Sequence, residues 1–195
     1  MQPNNLTTKG RKPQRGNNMS SVQSVLQELD QWHELVKPEM ELAEYLAMYQ
    51  GFVREEWKEL QEANEIGEIV KEACDYIVVN RPLITHGTGH MMKLHHHSTE
   101  SVKGMLSELG VNWWQALEHV TASNLSKLIL ECETEAASDF FAHAGIDVRI
   151  ESIGHGYFGA YSMLDQAVSG KFYAKDKLLK CQNYFEIDES KEWWK

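Results

Sequence analysis

Hydrophobic positions first recur at helical spacing between residues 22 and 36, where Val22, Val25, Leu26, Leu29, Trp32 and Val36 share one face. Pro38 closes this helix, because proline lacks an amide donor and its ring clashes with the preceding turn. A longer helix is expected over residues 39–65, ending near Gly67. A third covers 68–80 and stops before Pro82. Residues 84–101 hold glycine and many histidines without a period, and read as a loop. Helical signal returns over 101–109 and again over 112–143, where Gly145 ends it.

The period then drops to two. Val148-Arg-Ile150-Glu-Ser-Ile153 and Tyr157-Phe-Gly-Ala-Tyr161 alternate about Gly154-His155-Gly156, which predicts a β-hairpin over 147–162. The expected fold class is therefore mainly α: a helical bundle with a small C-terminal β-hairpin. Residues 170–195 run basic, then aromatic, then acidic, and are expected to wrap the helices. Residues 1–20 are polar and basic without periodicity and read as a disordered tail, which leaves 21–195 as a single domain.

Composition narrows the class. A chain of 195 residues with 42% hydrophobic and 25% charged residues can bury a core without disulfide staples. Cys74, Cys132 and Cys181 are far apart and form no CxxC pair, which points to reduced thiols in a cytoplasm. No apolar run approaches the roughly 18 residues that cross a membrane, and no secretory signal is read at the N-terminus. The net charge is -10, yet residues 1–16 carry Lys9, Arg11, Lys12 and Arg15 and no acid, so about -14 falls on the remainder. Such a body does not suit duplex nucleic acid, which needs cations against its phosphates. It suits a protein that concentrates a divalent cation.

The candidate chemistry lies in Glu55-Glu56-Trp57-Lys58-Glu59 and Glu72-Ala73-Cys74-Asp75, with twelve residues between Glu59 and Glu72. Each set places acids three residues apart, on one helical face. At about 100° per residue, Glu56 falls inside the apolar stripe of Leu42, Tyr49, Val53 and Leu60. Glu59 falls at its edge and Glu55 points away. On the next helix Glu72 falls among Ile69, Tyr76 and Val79, with Asp75 beside it. Carboxylates facing a core are costly unless paired or bound to metal. A hard, all-oxygen donor set favours Mg²⁺ or Mn²⁺ over Zn²⁺.

EExxE followed after twelve residues by ExxD resembles the signature of the all-α nucleoside triphosphate pyrophosphohydrolases, the superfamily of MazG-type enzymes, helical dUTPases and phosphoribosyl-ATP pyrophosphohydrolase. The resemblance implies metal ligands at Glu56, Glu59, Glu72 and Asp75, with Glu55 as an accessory and Glu56 or Glu59 as base. Ser123-Asn124-Leu125-Ser126-Lys127-Leu128 resembles the SNxSK element of phage-encoded members, whose Asn and Lys contact the nucleotide. Gly170-Lys171 and Leu178-Leu179-Lys180-Cys181-Gln182-Asn183-Tyr184 look like the GK–VLK–PNY tail of that branch, with Cys181-Gln182 in place of a small residue and proline. It follows that Asn124, Lys127, Lys180 and Tyr184 are the expected substrate contacts. The implied reaction is Mg²⁺-dependent, with Mn²⁺ as a substitute: an NTP or dNTP plus water gives the monophosphate and diphosphate. The resemblance also implies a homo-oligomer, a dimer or tetramer, in a bacterial or phage-infected cytoplasm.

Two other readings differ in class. One is a non-catalytic acidic helical protein, an interaction or regulatory module that retains a metal site. The other is a carboxylate-bridged di-iron protein, which needs Glu-x-x-His pairs; Asp75 stands where such a His would be. His86, His90, His95, His96 and His97 are read as an exposed loop rather than a zinc site, since three adjacent histidines cannot face one ion from a regular element.

Overall fold

Apolar stripes become contacts in a computed structural model that describes residues 18–36, 40–188 and 194. Of the tail expected over 1–20, residues 1–17 lie outside the described residues, and Asn18–Ser20 instead belongs to the first helix. Helix α1 (Asn18–Val36) turns Val25, Leu29 and Trp32 inward. Helices α2 (Leu42–Glu62) and α3 (Ile66–Thr85) are joined by three residues and fold back on each other. Leu60 of α2 packs with Val70, Ala73, Cys74 and Ile77 of α3 and with Ala116, Leu117 and Val120 of α5 (Trp113–Leu125) in the main core.

Helix α3 does not stop before Pro82; it continues to Thr85. A proline at position 82 cannot donate to the carbonyl of residue 78, four positions earlier. His33 of α1 supplies the missing donor: its Nε2 lies 2.9 Å from Val78 O. A carbonyl only accepts, so Nε2 carries the proton and Nδ1 accepts from the Tyr49 hydroxyl at 3.0 Å. Burial lowers the His33 pKa to about 4, which keeps the ring neutral and this arrangement intact.

The histidine segment is not a loop. Helix α4 spans Gly89–Glu108, and its buried face is His95, Thr99, Val102 and Leu106, at helical spacing. Two of those four positions are polar, so a search for apolar period alone passes over the helix. The buried histidine is satisfied: His95 Nδ1 lies 2.7 Å from Asn80 Oδ1, and Asn80 Nδ2 donates to Tyr76 O at 2.7 Å. Gly87 permits the turn from α3, since a Cβ there would sit 2.1 Å from Leu83 O.

The helical signal over 112–143 is also divided. Helix α5 ends at Leu125, where Ser126 Oγ turns back to Ser123 O at 2.6 Å and competes with the helical ladder. Strand β1 (Ile129–Leu130) and a single 3₁₀ turn, Glu131–Glu133, precede α6 (Thr134–Ala144), which Gly145 ends at φ 70°. Strands β2 (Val148–Gly154) and β3 (Tyr157–Ser162) form the expected hairpin, with Val148 opposite Ser162 and Ile150 opposite Ala160. Strand β1 adds to the free side of β3, giving the order β1-β3-β2. A second hairpin, β4 (Gln166–Val168) and β5 (Lys171–Tyr173), was not expected. The protein is thus mainly helical with small antiparallel sheets in its C-terminal part. Ile129, Phe141, Ala160 and Leu179 form a second core between α6 and the sheet. The following segment runs back to α5, where Ser123 Oγ donates to Phe185 O at 2.9 Å.

Candidate metal centre

Buried Tyr49 and Leu60 orient α2 so that Glu56 turns towards α3, and buried Ala73 and Tyr76 orient α3 so that Glu72 turns towards α2. Glu56, Glu59 and Glu72 each bring an oxygen within 4.8 Å of the others. Among the described residues, this is where three such ligand atoms converge. Glu72 is 8% exposed, Glu56 is half-buried, and Glu59 lies at the solvent edge. Asp75 stands outside the triad, on the same helix. Lys71 Nζ bridges the two acids of α3, at 2.5 Å from Glu72 Oε1 and 3.3 Å from Asp75 Oδ2. Glu55 is exposed and joins neither group.

Electrostatics follow from this crowding. Burial, reinforced by Asp75, Glu59 and Glu72, raises the Glu56 pKa to about 8. Burial and the neighbouring Glu72 and Glu55 raise Glu59. Burial raises Asp75 against the pull of Lys71. Burial alone would lower the Lys71 ammonium, but Asp75 and Glu72 raise it on balance. Meanwhile Glu72 Oε2 is buried without a hydrogen-bond partner. An orphaned carboxylate oxygen beside two more carboxylates is an unfavourable arrangement for a protein alone. The same arrangement fits an oxygen-seeking divalent cation, so the residues present suit Mg²⁺ or Mn²⁺.

The expected substrate contacts gather on a neighbouring corner. Lys127 follows the end of α5 and donates from Nζ to Asn124 Oδ1 at 2.5 Å. Burial lowers the Lys127 pKa to about 8, with Asp75 and Glu56 opposing and Lys180 and Lys177 reinforcing. Lys127 therefore lies within electrostatic reach of both the carboxylates and the C-terminal lysines. Lys180 Nζ sits 4.3 Å from the Tyr184 ring centroid, and Lys127 Nζ sits 6.0 Å from the same centroid. Lys180 also pairs with Glu186 at 3.1 Å. Ser126 Oγ accepts from Phe185 N at 3.2 Å and so ties the tail to the end of α5. Sequence reasoning did not assign Lys71, although its spacing of four from Asp75 is the signal for a helical ion pair.

The histidines disperse. His86 Nε2 lies 3.1 Å from Glu34, His95 is engaged by Asn80, and His90, His96 and His97 are exposed. A cavity of about 380 Å³ between α6 and the sheet, lined by Thr134, Glu135, Ser138, Val148, Ile150 and Phe158, lies away from the carboxylates. Compared with protein-family models, curated proteins and solved structures, the chain matches none.

Proposed function

We propose that this chain is a Mg²⁺-dependent nucleoside triphosphate pyrophosphohydrolase, converting an NTP or dNTP and water to the monophosphate and diphosphate. The observation that carries this reading is the convergence of Glu56, Glu59 and Glu72 around an orphaned Glu72 Oε2, with Lys127 in electrostatic reach of Glu56. Glu56, Glu59 and Glu72 hold the cation. Bound there, Mg²⁺ supplies positive charge opposite phosphate oxygens and raises the acidity of a water molecule. Glu59, at the solvent edge, takes a proton on its carboxylate as the water attacks the α-phosphorus, and diphosphate leaves. Glu55, exposed beside it, helps keep Glu59 basic. Lys127 and Lys180 meet the phosphates, Asn124 holds Lys127 in place, and Tyr184 does the same for Lys180.

Assembly and compartment belong to the same reading. Phe52, Trp57 and Ile66 are exposed on α2 and α3, which favours a symmetric dimer or tetramer. Cys74, Cys132 and Cys181 are free, which suits a reducing cytoplasm. No helix among the described residues is long and apolar enough to cross a membrane. Diphosphate release from a panel of ribo- and deoxyribonucleoside triphosphates with Mg²⁺ tests the proposal. Release from at least one nucleotide, abolished by chelation, is expected. Tight Mn²⁺ binding without release from any of them would identify the non-catalytic metal-binding alternative instead.

A further inference from the structure

The carboxylate cluster already contains a cation of its own. Lys71 Nζ lies 2.5 Å from Glu72 Oε1 and 3.3 Å from Asp75 Oδ2. The bridge is built into α3, because Lys71 precedes Asp75 by one helical turn and Glu72 by one residue. It divides the two oxygens of Glu72. Oε1 serves the ammonium, whereas Oε2 is buried and unpartnered. The converging triad is Glu56, Glu59 and Glu72, without Asp75. Four carboxylates thus form two adjacent places rather than one basin. One place is open to a metal ion, and the other is filled by a side chain.

Resting on the metal-dependent reading above, we infer that Lys71 occupies the place of a second cation, so that the nucleotide-free protein binds a single divalent ion through Glu56, Glu59 and Glu72. Lys71 and one divalent ion leave the four carboxylates one unit negative, whereas a second divalent ion beside the retained ammonium leaves the site one unit positive. A second divalent ion at Asp75 has to displace the ammonium and leave that positive charge beside two metals, which is unfavourable in a half-buried site. Lysine suits the role because its ammonium is a compact point charge with three donors.

The test is a Mn²⁺ titration of the nucleotide-free full chain, with free Mn²⁺ followed by electron paramagnetic resonance. One ion per chain is expected for the wild type, two for Lys71→Gln, and one for Lys71→Arg, which restores the charge. Glu56→Gln should lose the single ion. Two ions bound by the wild type, or one bound by a folded Lys71→Gln, would overturn the inference and leave the metal reading standing. No Mn²⁺ bound by the wild type removes the metal reading and this inference with it. Circular dichroism confirms that each variant is folded. Should Lys71→Gln fail to fold, the wild-type and Lys71→Arg stoichiometries decide, since two ions in either refutes the assignment.

Discussion

The α2–α3 carboxylates converge, whereas His86 and the histidines of α4 diverge, although both groups look ligand-rich along the chain. Glu56, Glu59 and Glu72 come from two helices whose apolar stripes face each other, so each stripe carries its acids to the same seam. His95, His96 and His97 are consecutive on one helix, and a helix turns consecutive residues to different sides. One of them is buried against Asn80, and the other two are exposed. Ligand identity is therefore a weaker guide than the direction in which the element presents it.

Substitution at the seam should have the largest effect. Glu56→Gln or Glu72→Gln is expected to reduce diphosphate release by roughly a hundredfold or more, because transition-state charge loses its stabilisation. Circular dichroism should show the fold retained. Near wild-type turnover with saturating Mg²⁺ would remove these residues from the centre.

Next in size is Lys127→Ala. Loss of a charge-assisted contact worth about 1.5–3 kcal/mol should weaken nucleotide binding and turnover by roughly tenfold or more. Mn²⁺ affinity without nucleotide should stay unchanged. Weakened Mn²⁺ binding would instead move Lys127 into the metal centre, and unchanged kinetics would remove it from the site.

The histidines provide the contrasting case. His95→Ala leaves Asn80 Oδ1 without its partner in a buried position and should lower stability by about 1–3 kcal/mol, measured by urea unfolding. His96→Ala and His97→Ala should each change stability by less than about 0.5 kcal/mol. All three should bind Mn²⁺ as the wild type does. A loss of Mn²⁺ on removal of any of them would erase the contrast between the two regions.

The carboxylate seam should also make stability depend on pH. The Glu56 carboxyl is raised from 4.5 to about 8, so the folded chain keeps a proton that the unfolded chain releases near 4.5. This stabilising contribution is complete below the unfolded value and is lost as pH rises through about 8. Stability of the metal-free protein should fall across that window, and Glu56→Gln should flatten the decline. Mn²⁺ affinity should rise over the same range, since binding needs the ionised carboxylate. Metal affinity independent of pH there would show that Glu56 is not a ligand.

Much of the frame was legible before any contact was known. The stripes of α2 and α3, the β2–β3 hairpin and the glycine ending α6 each follow from local periodicity or backbone freedom. Three departures share a cause. Pro82 sits inside α3 because a histidine 45 positions before Val78 serves the carbonyl that proline abandons. Helix α4 is held by a polar residue pair, His95 and Asn80, which apolar periodicity does not register. The pattern over 112–143 splits because Ile129 pairs with Phe158 of β3, and local helical preference yields to a strand partner.

What the sequence alone determined was local: which faces are apolar, which acids share a turn, and where the chain must reverse. Those properties depend on residues a few positions apart, so spacing suffices to read them. Tertiary structure decided how the acids divide. Glu72 joins Glu56 and Glu59 across the seam, Asp75 stays with Lys71, and Lys127 comes within electrostatic reach of Asp75, Lys177 and Lys180. The interaction between charges in a partly buried site falls off with distance in space and not along the chain, and that distance exists only once α2, α3, α5 and the returning tail have packed together.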